Sequence, residues 1–283
     1  MRKLLSMLIL ALMFFTCGEA PDLSEITGGI DAIIPDTTID SHEAIFDNST
    51  VTLSWEGTNE YTAFFSYRLE PLSYLDTVDT YTSWSDWSTE TTKALYYLDE
   101  GSYKFYVKGR VNAENEQTDP TVTPFEVDAI TESALRMYPL KQTVSPSETF
   151  NIYLYADDIN AVTGIEVQIN LSNNNIVYNH WIKGAIFNTT GESSAEGEYT
   201  IGGVYSIFPP PTVENSTIIL SGVVSGDGLS GKDLEIIKFT FTNSSSASTN
   251  TDITIHPINT FFRDIDNNDI PIVNKVSGIV GGI

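Results

Sequence analysis

Apolar and polar side chains alternate with a period of two along much of this chain, and no segment has a convincing helical period. Tyr103, Phe105 and Val107 alternate with more polar neighbours, and residues 51–55 and 165–171 repeat the pattern. Successive side chains of a strand point to opposite faces of a sheet, so this period predicts half-buried strands. The 283-residue chain is therefore predicted to be all-β, and its length allows two β-sandwich domains.

The first sandwich is predicted over residues 41–129, because short strands there are separated by turn signals. Trp55 matches the buried tryptophan of fibronectin type III domains, and a second segment resembles the penultimate-strand region of that family. The residues that carry this second resemblance are Leu98, Gly101, Tyr103, Phe105 and Val107. The resemblance implies an immunoglobulin-like or fibronectin type III-like fold, in which the Tyr103 hydroxyl donates back to the preceding corner. It implies no activity.

Two other resemblances compete for the same module. Residues 67–70, the tryptophans after them and Tyr103 are similar to the triple-tyrosine modules of bacterial sensor proteins. Residues 84–88 spell the WSxWS box of cytokine receptors, but the box lies before the Tyr103 strand and a single cysteine cannot form the receptor disulfides. Two hypotheses therefore remain for Trp84 and Trp87. They belong to the core, which the rarity of exposed tryptophan favours, or they form an exposed pair on which sugar rings stack.

The second sandwich is predicted over residues 133–283, which resemble the cohesin domain in the order of their segments. These segments are an opening strand at 135–138, a Glu-Thr-Phe strand at 148–154, an alternating strand at 163–171, a strand at 231–241 and a closing hairpin at 266–272. Cohesins are nine-stranded jelly rolls related to carbohydrate-binding modules, and they recognise dockerins, which are small calcium-loaded modules. The resemblance implies a cohesin-like jelly roll that binds a dockerin-like protein or a polysaccharide.

The alternating strand of this second module has one polar side. Ile165, Val167, Ile169 and Leu171 point one way and are predicted to be core, while Glu166, Gln168 and Asn170 point the other way. The resemblance places these three polar residues on the sheet that binds the partner. A solvated polar face without a partner is the alternative.

A cluster of acidic and amide residues near the C-terminus begins like a calcium loop. It consists of Asp264, Asp266, Asn268 and Asp269. An EF-hand needs Gly at about the sixth position and Glu at about the twelfth, where Asp269 and Lys275 stand, so the loop is not an EF-hand. A β-hairpin turn is the first interpretation. A structural calcium is the alternative, because hard cations favour clustered carboxylates, and we expect no other cofactor.

The sequence contains no catalytic signature. His42, His180 and His256 lack the spacing of metal ligands, and no HExxH, GxSxG or phosphate-binding glycine loop is present. The formal net charge of −24 disfavours nucleic acid, because an acidic surface repels a phosphate backbone. The chain is therefore predicted to be a binding protein and not an enzyme.

The N-terminus has the features of an export signal. Arg2 and Lys3 precede an apolar run over residues 4–15, which is too short to span a bilayer. Residues 14–18 resemble a bacterial lipobox, although Phe14 and Thr16 depart from its usual Leu and small residue. The resemblance implies a signal peptide over residues 1–16 and a lipid on Cys17, whereas an ordinary signal peptide with an incidental cysteine is the alternative. Residues 17–40, with paired glycines, are predicted to be a flexible tether.

These patterns together predict an exported, membrane-anchored lipoprotein of the outer membrane or surface of a bacterium. Its cohesin-like module captures a dockerin-like protein or a polysaccharide, and its first module acts as a spacer. A carbohydrate-binding lipoprotein of a polysaccharide-degradation system, with Trp84 and Trp87 as stacking platforms, is the second hypothesis.

Overall fold

The computed structural model describes residues 33–72, 83–184, 198–201, 204–207, 210–214, 216–224, 226–244 and 249–282. Every regular element among them is a β-strand, which confirms the predicted all-β class. The described residues include no helix long and apolar enough to cross a membrane. The predicted signal peptide and Cys17 lie outside the described residues.

The first module consists of two sheets. Its strands are β1 (Thr37–Ile39), β2 (Ile45–Phe46), β3 (Val51–Gly57), β4 (Phe64–Pro71), β5 (Thr92–Leu95), β6 (Gly101–Arg110) and β7 (Thr121–Val127). One sheet has the order β1-β3-β5 and the other the order β2-β7-β6-β4. The short strand β2 pairs with β7 in parallel, whereas the other pairs are antiparallel.

The core of the first module is aromatic. Trp55 is 2% exposed, and its ring lies 5.7 Å from the rings of both Tyr67 and Phe105. The Tyr103 hydroxyl donates to the carbonyl of Asp99 at 2.8 Å, so the predicted hydrogen bond to the corner before β6 is present. Membership of the fibronectin type III family stays a prediction.

The first module begins earlier than the sequence suggested. Thr37 and Ile39 pair with Gly57 and Trp55 of β3, so residues 37–39 belong to a sheet although they were predicted to end the flexible tether. The Thr37 hydroxyl donates to Thr121 at 2.8 Å, which joins β1 to the start of β7. The alternation in such a short strand was too brief to be distinguished from a linker.

The second module contains the remaining strands. They are β8 (Ala134–Tyr138), β9 (Lys141–Val144), β10 (Thr149–Asp157), β11 (Ile159–Val162), β12 (Gly164–Leu171), β13 (Ile176–Lys183), β14 (Glu198–Ile201), β15 (Val204–Ile207), β16 (Thr212–Glu214), β17 (Thr217–Val224), β18 (Leu229–Gly231), β19 (Leu234–Asn243), β20 (Thr251–Ile255), β21 (Phe261–Arg263), β22 (Asp269–Ile270), β23 (Asn274–Val276) and β24 (Gly278–Gly282).

Two large sheets enclose the core of this module. The first has the order β13-β19-β10-β8-β23, and the second has the order β14-β15-β17-β12-β20-β24-β9. Ile165, Val167 and Ile169 of β12 are at most 3% exposed and belong to the apolar cluster between the sheets, as predicted, while Leu171 is partly buried against it. The opposite side of β12 therefore faces away from the core.

The two modules meet through a short connection, residues 128–133, in which Ile130 is buried. Asp99 of the first module accepts the backbone N–H of Leu140 at 2.8 Å, and Asp128 lies 3.8 Å from the ammonium of Lys232. Glu100 accepts the backbone N–H of Ala129 at 3.0 Å, and its burial raises the pKa of its carboxyl. These contacts join residues on both sides of the connection.

Candidate functional site

The outward side of β12 and β17 forms the candidate site, called the open face below. Cross-strand partners in an antiparallel pair point to the same side, and Glu166, Gln168 and Asn170 pair with Ser221, Ile219 and Thr217. The three predicted partner-binding residues are half-buried and lie on this side, as the alternation required. The open face is defined as Glu166, Gln168, Asn170, Thr217, Ile219, Ser221 and Val223.

Hydrogen bonds fix the polar row of the open face. The Gln168 side chain donates to Asn170 Oδ1 at 3.0 Å and accepts from the Asn259 side chain at 2.8 Å. The Thr217 hydroxyl donates to the same Asn170 oxygen at 3.2 Å. Side chains held in this way lose little further freedom when a partner binds, so the row is preorganised for recognition.

Apolar side chains stand beside this row. Val223 is 60% exposed at one end of β17, and Ile219 lies half-buried opposite Gln168. The strands β12, β16, β17 and β20 carry Glu166, Glu214 and Asp252 but no lysine or arginine. Arg263 of β21, which pairs with β12 beside Glu166, is engaged by Asp269 at 2.7 Å. The open face therefore offers apolar contact together with an excess of carboxylates.

A loop over residues 256–260, called the flap below, projects beside the middle of β12. β21 pairs with the first half of β12 and β20 with the second half, and the flap connects them at Gln168. The Gln168 carbonyl accepts the His256 N–H at 2.8 Å, and the Gln168 N–H donates to the Thr260 hydroxyl at 3.1 Å. At the tip, Ile258 is 80% exposed. The flap cannot be predicted from the sequence alone, because no local pattern signals hydrogen bonds between residues such as Gln168 and Thr260, which are 92 positions apart.

The acidic cluster near the C-terminus forms a hairpin turn between β21 and β22. The Asn268 side chain donates to Asp264 Oδ2 at 3.0 Å, and Asp264 Oδ1 accepts the backbone N–H groups of Asn268 at 2.8 Å and Asp266 at 2.9 Å. These hydrogen bonds, the one from the Asn268 side chain first, lower the pKa of the Asp264 carboxyl. Asp269 instead pairs with Arg263 at 2.7 Å. The side chains of three of the four predicted calcium ligands, Asp264, Asn268 and Asp269, are thus engaged by groups of the hairpin. The described residues include no group of three His, Cys, Asp or Glu side chains arranged to hold a metal.

Trp84 and Trp87 lie outside the buried core of the first module. They flank β4 at the edge of its sheet, where Ser85 N–H donates to the Tyr67 carbonyl. Trp84 is 37% exposed, and the ammonium of Lys108 lies 4.8 Å from its ring and 5.0 Å from the Trp87 ring. The guanidinium of Arg110 lies 4.3 Å from the Trp87 ring.

This arrangement extends to a third cation and corrects the interpretation of the tryptophans as core. The Arg68 guanidinium lies 5.5 Å from the Trp84 ring and 3.9 Å from the Tyr106 ring. Cations are attracted to the faces of aromatic rings, so cationic side chains of the chain itself lie against both tryptophans. We call this region the ladder face, defined as Arg68, Trp84, Trp87, Lys108 and Arg110.

Comparisons with known proteins concern the second module. No protein-family profile and no curated protein matches the chain. Solved structures of cohesin modules match its C-terminal half. A non-cellulosomal cohesin from the archaeon Archaeoglobus fulgidus is 14% identical, with a TM-score of 0.41, and the match covers 54% of this chain and 92% of that one. The sixth cohesin of scaffoldin B from Acetivibrio cellulolyticus, solved with a dockerin, is 12% identical, with a TM-score of 0.41 and coverage of 54% and 100%.

Proposed function

We propose that this chain is a membrane-anchored extracytoplasmic adaptor that captures a protein partner on the open face of its second module. The observation that carries the proposal is the combination of a fixed polar row, exposed apolar side chains and an excess of carboxylates on one face. Partner-binding surfaces commonly join an apolar centre to polar groups that set orientation. The proposal describes a binding protein and not an enzyme.

The partner that fits this face is a small dockerin-like module with apolar and basic side chains. Val223 and Ile219 supply apolar contact, while Glu166 and its acidic neighbours attract lysine and arginine. Charge complementarity of this kind increases the association rate and excludes acidic competitors. Binding through this face is therefore expected to weaken as the salt concentration rises.

The first module is proposed to act as a spacer. It would hold the binding module away from a membrane in which the chain is anchored through a lipid on Cys17. At the end of β6 that finishes with Arg110, Asn115 donates to the Ile33 carbonyl at 2.7 Å. At the opposite end, Asp99 precedes β6 and contacts Leu140 of the second module. The chain thus enters at one end of the first module and leaves at the other. The ten residues of β6 separate these ends by about 30 Å.

The test is capture of partners from lysate of the source cells by the immobilised chain, with and without calcium, followed by identification by mass spectrometry. Val223→Lys places a cation on the open face, and we expect it to reduce capture of the identified partner at least about tenfold. Val177→Lys is the matched control, because Val177 is 49% exposed on β13 of the other sheet.

Equal loss of capture in both variants, or in neither, would remove the open face from the proposal. The carbohydrate hypothesis makes a different prediction that the same chain can test. Retardation in a gel that contains a soluble neutral polysaccharide, abolished by Trp84→Ala and unaffected by Val223→Lys, would replace protein capture with sugar binding.

A further inference from the structure

We infer that His256 is a positioning residue that holds Ile258 as an apolar anchor beside the open face, and that protonation of its imidazole releases the anchor. The inference rests on the proposed function, because it assigns the exposed Ile258 to the same partner. It adds a residue and a proton dependence that the fold resemblance does not imply.

The first observation is the hydrogen bonding within the flap. The Nδ1 atom of His256 accepts the backbone N–H of Ile258 at 3.2 Å and the backbone N–H of Asn259 at 3.0 Å. Both donors are fixed main-chain groups, so Nδ1 must carry the lone pair and the ring proton must be on Nε2. The imidazole thereby closes the turn that presents Ile258, whose side chain is 80% exposed.

The second observation is that this chain builds the same turn elsewhere with asparagine. Asn112 Oδ1 accepts the N–H groups of Glu114 at 2.9 Å and Asn115 at 2.8 Å, which are two and three positions further on. Asn59 makes the same pair of hydrogen bonds with the two residues at the same offsets, at 3.1 and 3.0 Å. An amide oxygen accepts at every pH, so asparagine satisfies the geometry without any proton dependence.

Histidine differs from asparagine in one respect that matters here. A protonated imidazole has two N–H donors and no acceptor, so Nδ1 would then direct a proton at the two backbone donors. The two hydrogen bonds would be lost together, and Ile258 would then be held only through the contacts of its neighbours Pro257 and Asn259 and through the ends of the flap. The ends remain attached to β12 through Gln168 and Thr260.

Four charged residues stand on the strands next to the flap. They are Glu166 on β12, Asp252 on β20, Arg263 on β21 and Lys275 on β23. The Lys275 ammonium donates to the carbonyl of Pro257, next to the imidazole in sequence. That contact fixes the flap on the side of β23, while the contact between Asn259 and Gln168 fixes it on the side of β12.

The position of the flap connects the turn to binding. Asn259 contacts Gln168, which belongs to the polar row of the open face, and Ile258 is its immediate neighbour. An exposed isoleucine on a closed turn beside a polar row is the arrangement of an interface anchor. A released turn would present the same side chain at a greater cost in conformational entropy.

The experiment measures backbone amide exchange by NMR in the full chain at about pH 7.5 and about pH 5.5, corrected for intrinsic rates. The amides of Glu114 and Asn115, capped by Asn112, provide an internal reference. We expect the Ile258 and Asn259 amides to lose about fivefold to tenfold protection relative to that reference in acid. Two variants complete the design: His256→Ala should show low protection at both pH values, and His256→Asn should restore protection that acid does not remove.

Protection of the Ile258 amide that follows the Glu114 reference at both pH values would overturn the proton dependence, as would the same acid loss in His256→Asn. The anchor is tested separately with Ile258→Ser against the partner identified by capture. Loss of capture in Val223→Lys but not in Ile258→Ser would refute the anchor while leaving the proposed function intact. Failure of both variants to affect capture would refute the proposed function itself.

Discussion

Each of the two modules exposes the outer face of a sheet, but the side chains on the two faces are arranged differently. On the ladder face, Lys108 and Arg110 lie over tryptophan rings, and Lys108 also pairs with Glu116, so the polar and aromatic groups satisfy one another. On the open face, Val223 is 60% exposed, and Arg263, the basic residue of the adjoining strand β21, pairs with Asp269. A face whose aromatic and charged groups contact one another has little to gain from a partner, whereas exposed apolar side chains beside a fixed polar row still gain from burial against one.

This difference separates stability from recognition. Substitutions on the ladder face should reduce stability with little effect on capture, and substitutions on the open face should do the reverse. The following predictions test this separation.

The largest expected effect tests whether the modules have independent cores. Trp55 is 2% exposed within the aromatic cluster of the first module, and Trp55→Ala should destabilise that module by about 3–5 kcal/mol. Hydrogen exchange resolved by peptide should show loss of protection in β3 and β6 while β10 and β19 remain protected. Loss of protection in both modules would contradict the existence of two modules with independent cores.

The next effect concerns the ladder. Arg110→Ala removes the cation from the Trp87 ring and from Phe64, whose centroid lies 5.6 Å from the guanidinium. We expect a decrease in the free energy of unfolding of about 1–2 kcal/mol in urea titrations, with capture of the partner unchanged. Arg263→Ala, which breaks an exposed ion pair, is the control and should cost less than about 1 kcal/mol. Lost capture in Arg110→Ala would assign recognition to the ladder face as well.

A smaller effect is expected at the junction between the modules. Burial raises the pKa of the Glu100 carboxyl above its ordinary value, so the folded chain binds this proton more tightly than the unfolded chain. The protonated side chain therefore stabilises the fold at low pH, and this stabilisation disappears as the pH rises through the raised pKa. The gain in stability of Glu100→Gln over the parent chain should therefore be larger at neutral pH than at about pH 4.

Urea titrations of both chains between about pH 4 and pH 8 measure this effect. Glu126→Gln, at an exposed residue of β7, is the matched control for the removal of one carboxylate. A Glu100→Gln difference that grows as the pH falls would contradict burial as the dominant influence on this carboxyl.

The smallest effect on stability is expected on the open face. Val223→Ser should change the free energy of unfolding by less than about 0.5 kcal/mol, because the side chain is largely solvated already. The same substitution should reduce capture of the partner, which is measured by titration calorimetry. A destabilisation as large as that of Arg110→Ala would mean that Val223 serves the fold, and the contrast between the two faces would no longer hold.

The sequence predicted features that depend on local periodicity. The alternation in β12 placed Ile165 and Val167 inside and Glu166 outside, and the corner hydrogen bond of Tyr103 is present where it was expected. In both cases the relevant residues lie within one strand or one turn. Local spacing then determines which side of the sheet each side chain faces.

Features that depend on residues distant in sequence were missed. Trp84 meets Lys108 and Arg68 only because β4 and β6 are adjacent in the sheet, and neither distance nor register can be read from residues 84–88 alone. The flap was missed for the same reason, since its hydrogen bonds return to Gln168. The hairpin turn at Asp264, by contrast, was the first interpretation of a short segment, and its hydrogen bonds are local.

The parallel pairing of β2 with β7 has a mechanical consequence. Ile45 pairs with Glu126 and Phe46 with Val127, so a strand near the start of the first module lies beside the strand that leads out of it. A pull between the N-terminal end and the second module would drag these two strands past each other along their length. Their ladder bonds would then share the load in shear instead of opening one after another, so this geometry suits a chain that must bear tension.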